Sequence, residues 1–138
     1  MADVHSREIR SYNMSKIRSK DTKPELTVRR FLYSHGFRYR LHVKGMAGKP
    51  DIVLPKYKTV IFVQGCFWHG HEGCKYYVVP KTNTEWWLTK IKGNIDKDNR
   101  SNSLLKAEGW RVIYIWECGL KRSKIDSTLT NLLTLLSK

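Results

Sequence analysis

A short segment of the chain, residues 66 to 74, concentrates side chains that can bind a metal ion. It reads Cys-Phe-Trp-His-Gly-His-Glu-Gly-Cys, and Cys118 is the one cysteine of the chain's three that lies outside it. Thiolates together with an imidazole form tetrahedral Zn²⁺ sites, because zinc accepts both soft sulfur and borderline nitrogen donors. We therefore predict a closed structural zinc site held by Cys66, His71, Cys74 and Cys118. Buried free thiols are the alternative interpretation.

A second histidine in this segment, His69, competes with His71 for the zinc. Only one of the two is needed, because a closed structural site takes four ligands and three of them are cysteines. We assign His71 to the metal, which leaves His69 free for chemistry.

A carboxylate stands at the start of a predicted strand, in the dipeptide Pro50-Asp51. Asp51 could hold Mg²⁺, which prefers oxygen ligands and keeps several waters. Such an ion can activate water and offset charge on a phosphodiester. Pro-Asp is also a common turn dipeptide, and the acidic-x-Lys pattern usual on the next strand of a nuclease is missing, since residues 57–65 contain no Asp or Glu. Other groups must therefore complete such a site.

A second carboxylate, Asp98, falls within a long predicted helix. Ile91, Ile95 and Leu105 mark one face of this helix, and the spacing puts Asp98 on that face. An inward carboxylate needs a partner, which a histidine or a metal-bound water could provide. A solvated Asp98 paired with Lys97 is the alternative.

Large aromatic side chains accompany the metal-binding segment. Phe67 and Trp68 lie inside it, and Trp86 and Trp87 are adjacent in the long helix, where they point about 100° apart. One of these two tryptophans can therefore be buried while the other is exposed. Exposed aromatics on a basic protein can insert between base steps or stack on unpaired bases. The alternative is that they close over the zinc site as core.

The elements that position these residues begin with a helix at Thr22. Thr22 can cap it, Pro24 suits its first turn, and Glu25 has the spacing of a capping box. Gly36 is expected to end the helix. A capping box accounts for Glu25 without any role in catalysis.

The remaining elements predict a sheet. Strands are expected over residues 37–43, 51–54 and 57–63, a helix over 84–108 capped by Thr84, a strand over 110–116, and a helix over 123–136. The apolar run over residues 60–63 is typical of a central strand covered on both faces. This order predicts an α/β fold, a restriction-endonuclease-like mixed sheet with an αβββαβ core flanked by helices. If the strands ending near residues 65 and 116 are neighbours, they bring Cys66 and Cys118 to one edge.

Composition points to a polyanionic partner. Lys and Arg number 26 against 12 Asp and Glu, for a net charge of +14, and such a protein gains affinity for nucleic acid by releasing counterions from phosphates. The length of 138 residues and hydrophobic share of 41% predict one globular domain over residues 21–138, preceded by a polar, basic arm over residues 1–20. No apolar run is long enough for a membrane span or a secretory signal, so we expect a cytoplasmic protein.

Several motifs resemble those of the very-short-patch repair (Vsr) DNA mismatch endonucleases. They are Gly48-Lys49-Pro50-Asp51, the run from Val60 to His69, the opening MADVHS, Asn13-Met14, Asp21-Thr22 and the segment 110–118. The resemblance covers nearly the whole chain. It implies a bacterial enzyme that nicks one DNA strand 5′ to the T of a T:G mismatch, the lesion left when 5-methylcytosine deaminates.

The resemblance also implies roles for individual residues. Asp51 would bind a catalytic Mg²⁺ together with the backbone carbonyl of Val63, and Glu25 would lie close to the waters of that ion. His69 would be the catalytic histidine, aided by Asp98, while the zinc ligands would be the four residues assigned above. The residues implied to insert between bases are Phe67, Trp68, Trp87 and, on the N-terminal arm, Met14.

One catalytic position departs from the family pattern. Residue 64, often a histidine in these enzymes, is Gln64 here. Its amide can hydrogen-bond a phosphate but cannot transfer a proton near neutral pH. The departure bears on the rate of the reaction and leaves its class unchanged.

The resemblance further implies a monomer that acts on double-stranded DNA in the nucleoid and meets mismatch-repair proteins there. Two other functions stay open. One is a restriction-type or other sequence-specific DNA endonuclease. The other is a non-catalytic, zinc-stabilised module that binds mismatched DNA.

Overall fold

The computed structural model describes residues 22–137. The predicted N-terminal arm over residues 1–20, and Met14 on it, lie outside the described residues. Within the described part, the order of elements is helix, three strands, helix, strand, helix, as the sequence predicts.

The first helix, α1, spans Lys23–Ser34 and begins with the predicted capping box. The Thr22 hydroxyl accepts a hydrogen bond from the backbone N–H of Glu25 at 3.4 Å, and the Glu25 carboxylate accepts one from the N–H of Thr22 at 3.2 Å. Val28 and Leu32 are fully buried on the face of α1 that packs on the sheet. The helix start therefore fixes the orientation of Glu25, which is itself buried.

Four strands form one mixed sheet. They are β1 at Arg40–Leu41, β2 at Ile52–Leu54, β3 at Thr59–Gln64 and β4 at Arg111–Trp116. Their order is β1-β2-β3-β4; the first two pairings are antiparallel, and β3 pairs with β4 in parallel.

The first strand is much shorter than the predicted strand over residues 37–43, which was wrong in extent. His42 takes a positive φ of 53°, and Gly45 and Gly48 follow with 84° and 71°. This left-handed geometry is incompatible with an extended strand, so the chain turns into a loop immediately after Leu41.

Strand β3 lies inside the molecule, as its apolar run predicts. Ile61 belongs to a cluster with residues of α1 and of the last helix, α3 (Ile125–Leu136), on one face of the sheet. Val60 and Phe62 pack with Leu105 of the long helix α2 (Thr84–Ala107) on the other. The sheet is therefore sandwiched between α1 and α3 on one side and α2 on the other.

The start of α2 differs from the prediction. Its N-cap is Asn83, with a φ of 57°, and no side chain caps the helix. The Thr84 hydroxyl donates instead to the carbonyls of Pro80 and Lys81, which removes it from a capping role. The C-terminal end agrees with expectation, since Gly109 takes a φ of 89° just beyond it.

The parallel pairing of β3 with β4 sets the position of the site. Gln64 pairs with Trp116, so both strands end at the same edge of the sheet. The segments that follow them therefore start side by side, as the sequence analysis requires for Cys66 and Cys118. Within residues 22–137, no helix combines the length and apolar character needed to cross a bilayer.

Candidate active site and metal centre

Asp51 is held against the end of β3 by two hydrogen bonds. Its carboxylate accepts one from the backbone N–H of Val63 at 2.7 Å, and its own N–H donates to the carbonyl of Ile61 at 3.1 Å. The N–H and C=O of one strand residue point to the same side, so the Val63 carbonyl also faces the Asp51 side of β3. The two groups proposed by resemblance as oxygen ligands therefore lie together.

A second carboxylate, Glu25 of α1, shares this space. Glu25 is only 1% exposed, and its Oε1 has no hydrogen-bond donor among the described residues. The pKa of Asp51 is raised to about 6, chiefly because burial removes its carboxylate from water; the neighbouring Glu25 raises it further, and the Val63 N–H lowers it. Two poorly solvated carboxylates with an unpartnered oxygen fit a hard divalent cation such as Mg²⁺.

His69 and Asp98 form the pair that the helical pattern made possible. The His69 Nδ1 and the Asp98 Oδ2 are 2.6 Å apart, with side-chain exposures of 30% and 28%. The alternative of a solvated Asp98 paired with Lys97 is wrong, because Asp98 binds the histidine. Asp98 at Nδ1 leaves Nε2 of the imidazole available to another group.

The Asp51–Glu25 pair and the His69–Asp98 pair lie near the same end of β3. The Asp51 carboxylate accepts a hydrogen bond from the Val63 N–H, and the backbone N–H of His69 donates to the carbonyl of Gly65, two residues further along the chain. Asp51 immediately precedes β2 and Glu25 lies in α1, whereas His69 lies in the loop after β3 and Asp98 in α2. Four separate segments therefore converge near the end of β3.

Gln64, the last residue of β3, lies beside this centre. It is 4% exposed and lines a cavity of about 270 Å³ together with His69 and Asp98. Two further residues of this cavity, Asn102 and Tyr114, were not singled out as site residues from the sequence. The Asn102 Oδ1 is buried without a partner among the described residues, and burial followed by the charge of Asp98 raises the pKa of Tyr114.

The four predicted zinc ligands meet at one point. The ligand atoms of Cys66, His71, Cys74 and Cys118 all lie within 4.8 Å of one another. A tetrahedral Zn²⁺ with bonds of about 2.0 to 2.3 Å places its donors roughly 3.5 to 4 Å apart. This donor set therefore fits zinc with a slight contraction, and the cluster could hold a metal ion.

The contacts around this cluster also distinguish His71 from His69. The Cys118 Sγ lies 3.5 Å from Nδ1 of His71, and the Cys118 N–H donates to the Cys66 Sγ at 3.4 Å. The His71 ring stacks on Trp116 with centroids 4.0 Å apart and an interplanar angle of 4°. His71 faces the thiols, whereas His69 faces Asp98.

The thiols differ in how readily they ionise. Burial raises the pKa of Cys66 to about 12, with the neighbouring cysteines adding to the shift. Burial also opposes ionisation of Cys74, yet backbone hydrogen bonds from Tyr76 and Tyr77, together with its neighbouring thiols, bring its pKa below the ordinary value. A thiolate at Cys66 therefore needs the charge of a bound cation.

The aromatic residues pack on one another at the base of the metal-binding segment. Phe67 lies with its ring centroid 5.3 Å from Trp68 and 5.4 Å from Trp87, and Trp68 and Trp87 are 5.8 Å apart. All three are half-buried. Trp86 is 59% exposed and meets Trp87 edge-on at 4.7 Å. The prediction that one of the adjacent tryptophans is exposed is confirmed.

One further contact ties this cluster to the long helix. The Asn94 side-chain amide donates to the backbone carbonyl of Trp68 at 2.9 Å. Asn94 is one turn before Asp98, so α2 holds both the aromatic segment and His69. Gly70 must be a glycine for this approach, since a Cβ there would lie 2.6 Å from Ile95 of α2.

The chain is similar to known DNA endonucleases. A family model described as DNA mismatch endonuclease Vsr matches residues 2–75. The chain is 50% identical over 125 residues to the Type II nicking enzyme V.NmeAIP of Neisseria meningitidis, covering 91% of this chain and 89% of that protein. It is 46% identical over 134 residues to the Type II nicking enzyme V.XorIIP of Xanthomonas oryzae, covering 96% and 98%. It is 44% identical over 132 residues to the DNA mismatch endonuclease Vsr of Escherichia coli, covering 94% and 84%.

Proposed function

Because this chain belongs to the DNA mismatch endonuclease Vsr family, and is a DNA endonuclease of that family, we propose that it nicks one strand 5′ to the T of a T:G mismatch. This nick starts very short patch repair. The observation that carries the proposal is the convergence of the Asp51–Glu25 and His69–Asp98 pairs near the end of β3.

His69 is the group that moves a proton. Asp98 accepts the Nδ1–H of the imidazole, which fixes the ring orientation and the tautomer with Nε2 unprotonated. Nε2 can then take a proton from a water that attacks the phosphodiester. Asp98 also stabilises the imidazolium that results, as a carboxylate beside a protonated histidine does.

Asp51 and the carbonyl of Val63 are the proposed Mg²⁺ ligands, and Glu25 would hydrogen-bond waters of the ion. Magnesium bound there would supply positive charge beside the scissile phosphate and make a nearby water more acidic. The hydrogen bond from Val63 and the backbone contact with Ile61 keep Asp51 at the strand end. Gln64, which lines the cavity beside His69, would hydrogen-bond a phosphate oxygen.

Cys66, His71, Cys74 and Cys118 would hold a zinc ion that restrains the segment carrying His69. His69 lies between two of these ligands along the chain, so a filled site restricts its backbone from both sides. The aromatic residues Phe67 and Trp68 lie in the same restrained segment. A filled site would thus restrain both the catalytic histidine and the aromatic residues of this segment.

The aromatic cluster provides a route to mismatch selection. Phe67, Trp68 and Trp87 insert between base steps, and Met14 approaches from the N-terminal arm. Insertion costs unstacking energy, and that cost is lowest where pairing is already weakened. The net charge of +14 adds affinity for the phosphate backbone without sequence preference.

The proposal includes the architecture. We propose that the mixed sheet, with its αβββαβ order, is a restriction-endonuclease-like fold. Residues 21–138 would form a single nuclease domain, and residues 1–20 would form an arm that contacts DNA. The enzyme is proposed to act on nucleoid DNA as a monomer.

The test is a strand-resolved nicking assay on duplexes that differ only in one pair, T:G or C:G. We expect Mg²⁺-dependent cleavage of the T-bearing strand alone and little cleavage of the C:G duplex. Cleavage in EDTA, or equal rates on both duplexes, would contradict the proposal.

A second candidate is a nicking or restriction-type endonuclease that needs no mismatch. The names of two relatives, which describe Type II nicking enzymes, favour it. Cleavage of fully paired DNA at a fixed sequence, at the rate seen on the T:G duplex, would select this candidate.

A further inference from the structure

A second groove opens beside His69, next to the cavity that contains Gln64. It has a volume of about 640 Å³, and it shares His69 and Asp98 with that cavity. Its walls are the loop over residues 46–49 and one face of α2. We call it the cationic groove, after three of the residues that line it, Lys49, Lys97 and Arg100.

The helix wall of the cationic groove has a regular spacing. Asn94, Lys97, Ser101 and Leu104 recur at intervals of three or four residues, which places them on one face of α2. Leu104 is 57% exposed at the far end. The groove therefore runs along the helix away from His69.

The loop wall is fixed in place by a close approach. Gly48 has a φ of 71°, and a Cβ at this position would lie 2.7 Å from the Ser101 Cβ and 3.2 Å from Phe62. The loop thus touches α2 directly, and it presents Lys49 immediately after the contact. The groove has two fixed walls, so its cations are presented at a defined site.

Among the described residues, no carboxylate pairs with any of the three cations. In the part of the chain that the structure describes, Lys49, Lys97 and Arg100 are exposed and take part in no ion pair and no cation–π contact. Asp98 is the one carboxylate in the lining, and His69 already binds it. The groove lining therefore carries three cations against one carboxylate.

We propose that the cationic groove binds the phosphodiester backbone of the DNA segment next to the cleavage site. A row of exposed cations leading to a catalytic histidine suits a polymer with regularly spaced negative charges. The exposed Leu104 provides apolar contact for a deoxyribose between phosphates. Because phosphate contacts position DNA and carry no base identity, this groove sets the register of the strand and contributes nothing to choice of the mismatch. The inference rests on the proposed function.

The test compares two double variants that each remove one Lys and one Arg charge. Lys97→Gln/Arg100→Gln alters the groove, and Lys106→Gln/Arg122→Gln is the control, since both control residues are exposed and line neither cavity beside His69. Fluorescence anisotropy measures the Kd of each for T:G and C:G duplexes over a range of salt, without added Mg²⁺. Thermal unfolding verifies that all proteins are folded.

The expected result is a salt slope of log K that is smaller by about 2 in the groove variant than in the control, since each lost phosphate contact removes about one unit. The ratio of the T:G to the C:G Kd should not change. Equal slopes for the two variants, or a loss confined to the T:G duplex, would overturn the proposal. Binding and nicking are measured separately. If the wild type nicks no duplex but the groove variant still has a smaller salt slope than the control variant, the proposed function is overturned and phosphate binding in the groove is supported.

Discussion

Nδ1 of His69 and Oδ2 of Asp98 lie 2.6 Å apart, although 29 residues separate them along the chain. The contact joins the loop that follows β3 to the middle of α2. A carboxylate at Nδ1 selects the imidazole tautomer whose Nε2 can accept a proton. The relation between these two residues therefore determines whether His69 can serve as a base.

Replacement of Asp98 by Asn should separate geometry from charge. The amide can keep a contact with Nδ1, but it no longer stabilises the imidazolium and does not enforce the tautomer. We expect the single-turnover nicking rate to fall by about 10²- to 10⁴-fold, with the Kd for DNA little changed. The matched control is Asp96→Asn, an exposed carboxylate on the same helix. Equal rates for the two variants would show that Asp98 has no part in the chemistry.

The two histidines of the metal-binding segment should respond in opposite ways to substitution by Ala. His71→Ala should lose zinc and lower the melting temperature, because its Nδ1 faces the thiol of Cys118. His69→Ala should keep zinc and abolish nicking. Zinc content after gel filtration, measured by atomic emission, gives the answer for both. Zinc missing from His69→Ala but present in His71→Ala would reverse the assignment.

Cys118 should stabilise the folded domain by binding zinc. Cys118→Ala should release zinc and destabilise the whole domain, since binding energy at a structural zinc site is folding energy. Cys118→His, which restores a zinc-binding donor, should recover part of both. A zinc chelator should lower the melting temperature of the wild type but not that of Cys118→Ala. Normal zinc content in Cys118→Ala would remove this residue from the ligand set.

The ionised side chain of Asp51 should destabilise the folded protein at neutral pH. Its pKa is about 6 in the folded chain against an ordinary value of 3.8, so folding favours the protonated form. With respect to this group, the folded state keeps its full stability below about pH 4. It loses that stability as the pH rises through about 6. Without added Mg²⁺, Asp51→Asn should therefore be more stable than the wild type at pH 8, by about 1–3 kcal/mol.

The pH dependence of the stability difference between Asp51→Asn and the wild type provides a control. The stability gap should shrink as the pH falls from 8 towards 5, because the wild-type carboxyl takes up a proton in the folded state. Asp96→Asn, at an exposed position, should show no comparable gap. Denaturant titrations at several pH values measure both. A wild type that is more stable than Asp51→Asn at pH 8 would contradict the unfavourable burial of this charge.

Local signals predicted much of this structure. The capping box at Thr22 and Glu25 is a spacing rule, and the apolar run of β3 follows from burial on both faces; both are confirmed. The four residues of the Cys/His cluster were found because all three cysteines of the chain fall in it. These features depend on residue type and short spacing, which the sequence displays directly.

Other features depend on contacts between distant segments. The loop that ends β1 after Leu41 requires a positive φ at His42, a residue type that only sometimes adopts one. Asn83 takes the cap position of α2 because Thr84 bonds backwards to Pro80. The cavity lined by Asn102 and Tyr114 exists only because α2 packs across β4. None of these could be read from a local pattern.

The most direct test of the account is the single-turnover nicking rate of a T:G duplex as a function of Mg²⁺ for the wild type, Asp51→Asn and Asp96→Asn. We predict saturable Mg²⁺ dependence in the wild type and in Asp96→Asn, and a loss of about 10³-fold or more in Asp51→Asn at every Mg²⁺ concentration. If Asp51→Asn nicks at the rate of the control with the same Mg²⁺ dependence, Asp51 holds no catalytic ion and the proposed hydrolytic centre is wrong.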